Sequence, residues 1–147
     1  MSKILGLDVG SSTIGVAVSD TLGWTAQGLT TIWRKSVKRD LNFLRKLIRE
    51  YDVTEVVVGI PFKMNGELDA QTRKILRFAK LLRNTFHIPV NTWDERFSTV
   101  AASKTLELGN VKRKKKAALI DKVAAVIILQ GYLDNRNESH FQPGDYQ

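Results

Sequence analysis

The hydrophobic residues of this chain read as short strands up to residue 33, and at Val37 the pattern changes to helical spacing that runs to Tyr51. This one change of period leaves few folds open. Lys3 to Asp8 reads as a strand bounded by Gly10. Ile14 to Ser19 reads as a second, with Ile14, Val16 and Val18 alternating against the small residues Gly15 and Ala17. Leu29 to Trp33 reads as a third. The connections are too short for crossovers, so the three strands are expected to pair as an antiparallel meander.

Beyond the switch, Val37, Leu41, Leu44, Ile48 and Tyr51 form the apolar stripe of a helix whose other face carries Lys38, Arg45, Lys46 and Arg49. Val53 to Val58 is a β-branched run suited to a strand buried on both faces, ended by Gly59-Ile60-Pro61. A second helix is expected from Leu68 to Phe86, with Arg73, Lys74, Arg77, Lys80 and Arg83 on its outer face, and a fifth strand from Pro89 to Asp94. Ser98 or Thr99 can cap a short helix running to Leu108 and ended by Gly109. Lys112 to Lys116 is expected as a flexible basic loop, and Leu119 to Leu133 as a helix buried against the sheet. The order defines an α/β fold: a five-stranded mixed sheet flanked by helices. The length suits one domain, placed at 1–134, with a flexible polar tail at 135–147.

Composition narrows the chemistry. Without cysteine there is no disulfide, thiol catalysis or zinc–thiolate site. No apolar run is long enough to span a bilayer, and the N-terminus lacks the pattern of a secretory signal, so a cytoplasmic protein without a membrane partner is expected. Lysine and arginine total 23 against 15 acids, a net charge of +8. On a small domain that excess favours a polyanionic partner, the alternative being charge that serves solubility.

Three carboxylate positions stand where carboxylates are costly. Asp8 ends an apolar strand expected at the sheet centre. Asp94 and Glu95 end another. Asp121 lies on the last helix on the face shared with Ala124, Ala125 and Ile128, whose small residues would let that helix approach the sheet and bring Asp121 toward Asp8. Converging carboxylates repel one another, and divalent cations relieve the repulsion. Mg2+ or Mn2+ held by such a set activates water and stabilises the leaving oxygen in phosphodiester cleavage. Each acid also has a structural alternative: a turn cap for Asp8, an ion pair with Arg96 for Asp94 or Glu95, and a helix-dipole partner for Asp121.

Around these acids lie groups suited to a nucleic-acid backbone. Gly10, Ser11, Ser12 and Thr13 form a small-residue turn that phosphate can approach. Arg96, Ser98 and Thr99 follow Glu95, Lys63 follows the Pro61 turn, and Lys112, Arg113, Lys114, Lys115 and Lys116 form an unbroken cationic run. Trp33 and Trp93 are expected in the core, whereas Trp24 could stack on a base.

Gly6-Leu7-Asp8-Val9-Gly10 with Ile14-Gly15-Val16-Ala17-Val18-Ser19-Asp20, Val58-Gly59-Ile60-Pro61 with Asn65-Gly66, Asp94-Glu95-Arg96-Phe97-Ser98-Thr99, and Asp121-Lys122-Val123-Ala124-Ala125 together resemble the YqgF family. Its members are RuvX-type Holliday-junction resolvase homologues and pre-16S rRNA nucleases. The resemblance runs from about Lys3 to Leu133. It implies a bacterial cytoplasmic protein, an RNase H-like fold with sheet order 3-2-1-4-5, and maturation of the 5′ end of 16S rRNA, with junction resolution as the related alternative. Carried over by motif, Asp8, Glu95 and Asp121 are the catalytic acids and metal ligands, and Glu95 is favoured over Asp94. Pre-16S rRNA is then the expected partner, branched DNA the alternative, and the chain a monomer or homodimer. Ile60 and Phe97 depart from the leucine more usual in the family.

Two rival readings remain open. A non-catalytic nucleic-acid-binding assembly factor would need only the basic surfaces. The segment from Asp8 to Thr13 also resembles the first phosphate loop of the actin and sugar-kinase superfamily. Such phosphotransferases need a second lobe and a second nucleotide motif, neither found in these 147 residues.

Overall fold

The computed structural model describes residues 2–105, 108–109 and 111–139. Strands β1 (Lys3–Val9), β2 (Thr13–Ser19) and β3 (Ala26–Trp33) form the expected meander. They are followed by α1 (Val37–Glu50), β4 (Val53–Ile60), α2 (Ala70–Phe86), β5 (Val90–Asp94), a single 3-10 turn (Glu95–Phe97), a one-turn helix α3 (Val100–Ser103) and the long α4 (Arg113–Ser139). The sheet order is β3-β2-β1-β4-β5. β1 is antiparallel to β2 and parallel to β4, and β5 is parallel to β4. The fold is the RNase H-like arrangement that the motifs implied.

Alternation along β1 divides the interior between two layers. Leu5, Leu7 and Val9 face α1 and α2, where they pack with Leu44, Leu47, Ile75 and Phe78. Ile4 faces the opposite layer, with Ala17, Val57, Ala124, Ala125, Ile128 and Leu129. Asp8 follows the register of Ile4 and so points to the α4 side.

Local signals fix most ends. The Ser36 side chain accepts from the Arg39 N–H and starts α1. Asp69 accepts from the Thr72 N–H, which starts α2 at Ala70 rather than at the expected Leu68. Three expectations shift. Residues 113–116 form the first turn of α4, not a loop; four cations at a helix N-terminus oppose the dipole, which hid this start from the sequence pattern. The tail expected from residue 135 is still helical through Ser139, while residues 140–147 lie outside those described. The helix after Thr99 is only one turn long and does not run to Leu108.

The close seat of α4 depends on bare backbone in the strands. A Cβ added at Gly15 would stand 2.0 Å from the Asp121 carbonyl oxygen, and one at Gly6 would stand 2.6 Å from the Leu129 Cβ. The expected closeness is therefore made as much by strand glycines as by Ala124 and Ala125. No helix among the described residues is long and apolar enough to cross a membrane.

Candidate active site

Asp8 and Gly15 are cross-strand partners, and Gly15 lies under the Asp121 backbone, so sheet register and helix docking together set Asp8 beside Asp121. Glu95 arrives from the other side. It opens the 3-10 turn just past β5, and its Oε2 lies 3.0 Å from where a Cβ on Gly59 would stand. Asp8 and Glu95 are both buried, at 6% and 9% exposure. Asp121 is half-buried and accepts a hydrogen bond from the Thr13 hydroxyl.

The cation among these acids is one that the sequence reading missed. Lys104, just past α3, places its Nζ 3.2 Å from the Asp8 Oδ1. Burial pulls the Lys104 pKa down, but the fields of Asp8, Glu95 and Asp121 outweigh it and leave the ammonium more firmly protonated than usual. Burial raises the Asp8 pKa, partly offset by Lys104, with a further rise from the neighbouring Asp121 charge. Burial likewise pushes Glu95 up to about 7, with Asp8 and Asp94 adding to the rise and Lys104 opposing it.

Because the folded chain holds the Glu95 proton more tightly than the unfolded chain, its contribution to stability is present below the ordinary glutamate value and is lost as pH rises through about 7. Asp8 acts in the same direction. Thermal unfolding in chelator is therefore expected to give a falling Tm from about pH 5 to about pH 8, with a flatter profile in Glu95→Gln. A rising wild-type Tm over that range contradicts this electrostatic picture.

Asp94 is occupied elsewhere. Its carboxylate accepts from the Arg96 backbone N–H and pairs with the guanidinium at 2.7 Å, which holds its pKa down. Adjacent acids thus take different tasks, and Glu95 is the one that enters the pocket. Arg96, expected to meet nucleic acid, is engaged by Asp94 and lies over the Phe62 ring.

The remaining expected contacts are distributed unevenly. Ser11 and Ser12 are exposed at the β1–β2 turn, and Gly10 is half-buried there. Thr13 is buried and committed to Asp121, so its hydroxyl serves the acid rather than a phosphate at the surface. Ser98 donates to the Glu95 carbonyl and accepts from the Val100 N–H in a local turn just ahead of α3; the N-cap is Thr99, which is exposed and makes no side-chain cap bond. Lys63 is exposed on the loop after β4. Lys112, Arg113, Lys114 and Lys115 are exposed at the start of α4, with Lys116 half-buried. Trp33 is 38% exposed rather than in the core, with the Lys114 ammonium 4.9 Å from its ring centre. Trp93 packs against α4 as expected.

Among the described residues, no three His, Cys, Asp or Glu side chains close around a metal position. The donor chemistry nevertheless fits a hard cation. Mg2+ is bound by one or two carboxylates and completes its shell with water and substrate phosphate, so a closed protein cage is not required.

Solved structures share this architecture. Thermus thermophilus RuvC in complex with a Holliday junction superposes with a TM-score of 0.56 at 16% identity, covering 93% of this chain and 96% of that one. Fowlpox virus resolvase with its Holliday junction substrate gives 0.56 at 14% identity, covering 91% and 98%. The fold is thus that of RuvC-like resolvases. At sequence level, the model of the family described as "RuvX: Holliday junction resolvase" matches residues 2–135, and the chain belongs to that family. A protein of Desulforamulus reducens, named "Putative pre-16S rRNA nuclease", is 51% identical across 90% of this chain and 97% of its own length. A Clostridium novyi protein of the same name is 50% identical across 90% and 98%. By family, this is a phosphodiester-hydrolysing enzyme.

Proposed function

We propose that this chain is a divalent-metal-dependent nuclease that cuts at the Asp8–Glu95–Asp121 pocket, with the 5′ end of pre-16S rRNA as its substrate. The observation that carries the reading is that three acids, from β1, the turn after β5 and α4, all act on the single Lys104 ammonium in a strongly basic chain. The names borne by relatives at about half identity favour ribosomal RNA, and work on a precursor rRNA would be cytoplasmic.

Asp8, Glu95 and Asp121 would hold Mg2+ or Mn2+. When bound, the ion supplies a lowered water pKa and stabilisation of the leaving oxygen. The chain's own residues do the remaining work. The Thr13 hydroxyl donates to Asp121 and so fixes the rotamer of that acid. Glu95, which burial holds protonated up to about pH 7 without a metal, would give up that proton on taking the cation. Lys104 neutralises the pocket when no other cation is present and gives phosphate a positive partner beside Asp8. Ser11, Ser12, Lys63, Thr99 and Lys112 to Lys115 are exposed and would supply the contacts to backbone phosphates.

The deciding assay sets a precursor 16S rRNA 5′ segment beside a four-way DNA junction, each with wild type and Asp8→Asn. Metal-dependent cleavage of the RNA, absent in the variant, is expected. Cleavage of the junction alone would move the substrate to branched DNA, as the family description favours. Intact substrates in both arms would leave a binding factor.

A further inference from the structure

On the face of the sheet opposite α4, a groove of about 540 Å³ opens between α1 and α2 at the same end of β1 as Asp8. We propose that it holds an unpaired stretch of nucleic acid continuous with the strand at the Asp8 pocket; this rests on the nuclease reading above.

The groove has two kinds of surface. Its apolar surface comes from the exposed Val37 and Leu81, with the buried Val9, Ile75 and Phe78 beneath as floor, and its rim carries Lys35, Lys74 and Arg77. The one acid in the lining, Asp40, is already neutralised. Its carboxylate is 3% exposed, pairs with the Arg34 guanidinium at 3.1 Å and accepts from the Lys35 N–H. The exposed charge of the rim is therefore cationic.

Connectivity ties the groove to the site. Val9 forms floor, while its neighbour Asp8 faces the α4 layer, so the two sites lie back to back across one strand end. Ser11 lines the groove from the β1–β2 turn. Arg34 fixes that turn: its N–H donates to the Ser12 carbonyl, its Nη1 donates to the Gly10 carbonyl at 2.7 Å, and its guanidinium lies over Phe78. A strand leaving the pocket over Gly10 to Ser12 enters the groove directly.

An apolar floor under a cationic rim suits single strands. Bases in a duplex are stacked and paired inside the helix, and so present no faces to the exposed Val37 and Leu81. Unpaired bases do, while their phosphates reach the lysine and arginine rim.

The test measures binding by fluorescence anisotropy in chelator, across a salt series, with a labelled single-stranded oligonucleotide and a blunt duplex. Lys74→Gln/Arg77→Gln is compared with Lys46→Gln/Arg49→Gln, which removes the same charge from exposed α1 positions outside the groove. The groove variant is expected to lose about tenfold in single-strand affinity. Its log–log salt slope should be shallower by about 1.4, at about 0.7 per phosphate contact. Duplex affinity should change far less. Wild-type affinity and slope in the groove variant would overturn the proposal. So would an equal loss in the control pair, or an equal loss on duplex. None of these three bears on cleavage, which is not read without metal. Absence of any single-strand binding by the wild type would overturn the groove, while the nuclease reading stands or falls on the metal-replete cleavage assay above.

Discussion

Asp8→Asn is expected to lower the single-turnover cleavage rate by about a thousandfold, equivalent to about 4 kcal/mol of transition-state stabilisation. Its fold should survive. Asparagine has nearly the same shape, and the change removes a charge that repels Asp121 and Glu95 from a place where Asp8 is 6% exposed and burial already raises its pKa. The lost partner is the ion pair with Lys104, whose ammonium keeps Glu95 and Asp121 as neighbours. Circular dichroism and Tm close to wild type, together with lost cleavage, would separate chemistry from folding. Retained cleavage would remove Asp8 from the mechanism.

Gly15→Ala is expected to do the opposite, damaging the fold first. The added methyl meets the Asp121 carbonyl oxygen at 2.0 Å, and the obstacle is helix backbone rather than a side chain that can turn aside. Either α4 lifts from the sheet or β2 bends. Overpacking of this kind costs about 3 kcal/mol, which corresponds to a fall in Tm of about 6–12 °C for a chain of this size. Lifting α4 also draws Asp121 away from Asp8, so cleavage by the folded fraction should fall as well. Alanine at position 17, on the same strand and the same face, is already accommodated against α4. A Gly15→Ala protein with wild-type Tm would mean that the seat of α4 is looser than the geometry indicates.

Periodicity carried most of the architecture. The switch from short strands to helical spacing at Val37 marks the end of the meander, and the β-branched run from Val53 marks a strand buried on both faces. Asp8 and Asp121 were visible as acids on apolar faces, which is where burial is costly enough to need a reason. Glu95 could be separated from Asp94 only by family resemblance; in three dimensions the separation follows from the pairing of Asp94 with Arg96.

What stayed hidden depends on contacts far apart in the chain. Lys104 reads as one more exposed cation, because its partner lies 96 residues away on β1. The Thr13 bond to Asp121 spans 108 residues. Gly15 looked like a small residue in an alternating strand, and only the docked helix reveals the cost of a side chain there. The start of α4 was missed because its first turn is cationic, against the preference of the helix dipole, and its stability comes from packing further along. Trp33, in a strand but near the sheet edge, meets Lys114 instead of the interior.

The most direct test of the central claim is an anomalous difference map from crystals of the wild-type protein grown with Mn2+. The account predicts a peak at carboxylate-ligand distance from Asp8, with Glu95 and Asp121 turned toward it and Lys104 moved off the Asp8 carboxylate. A map in which Lys104 still holds Asp8, with manganese elsewhere or absent at saturating concentration, would contradict it.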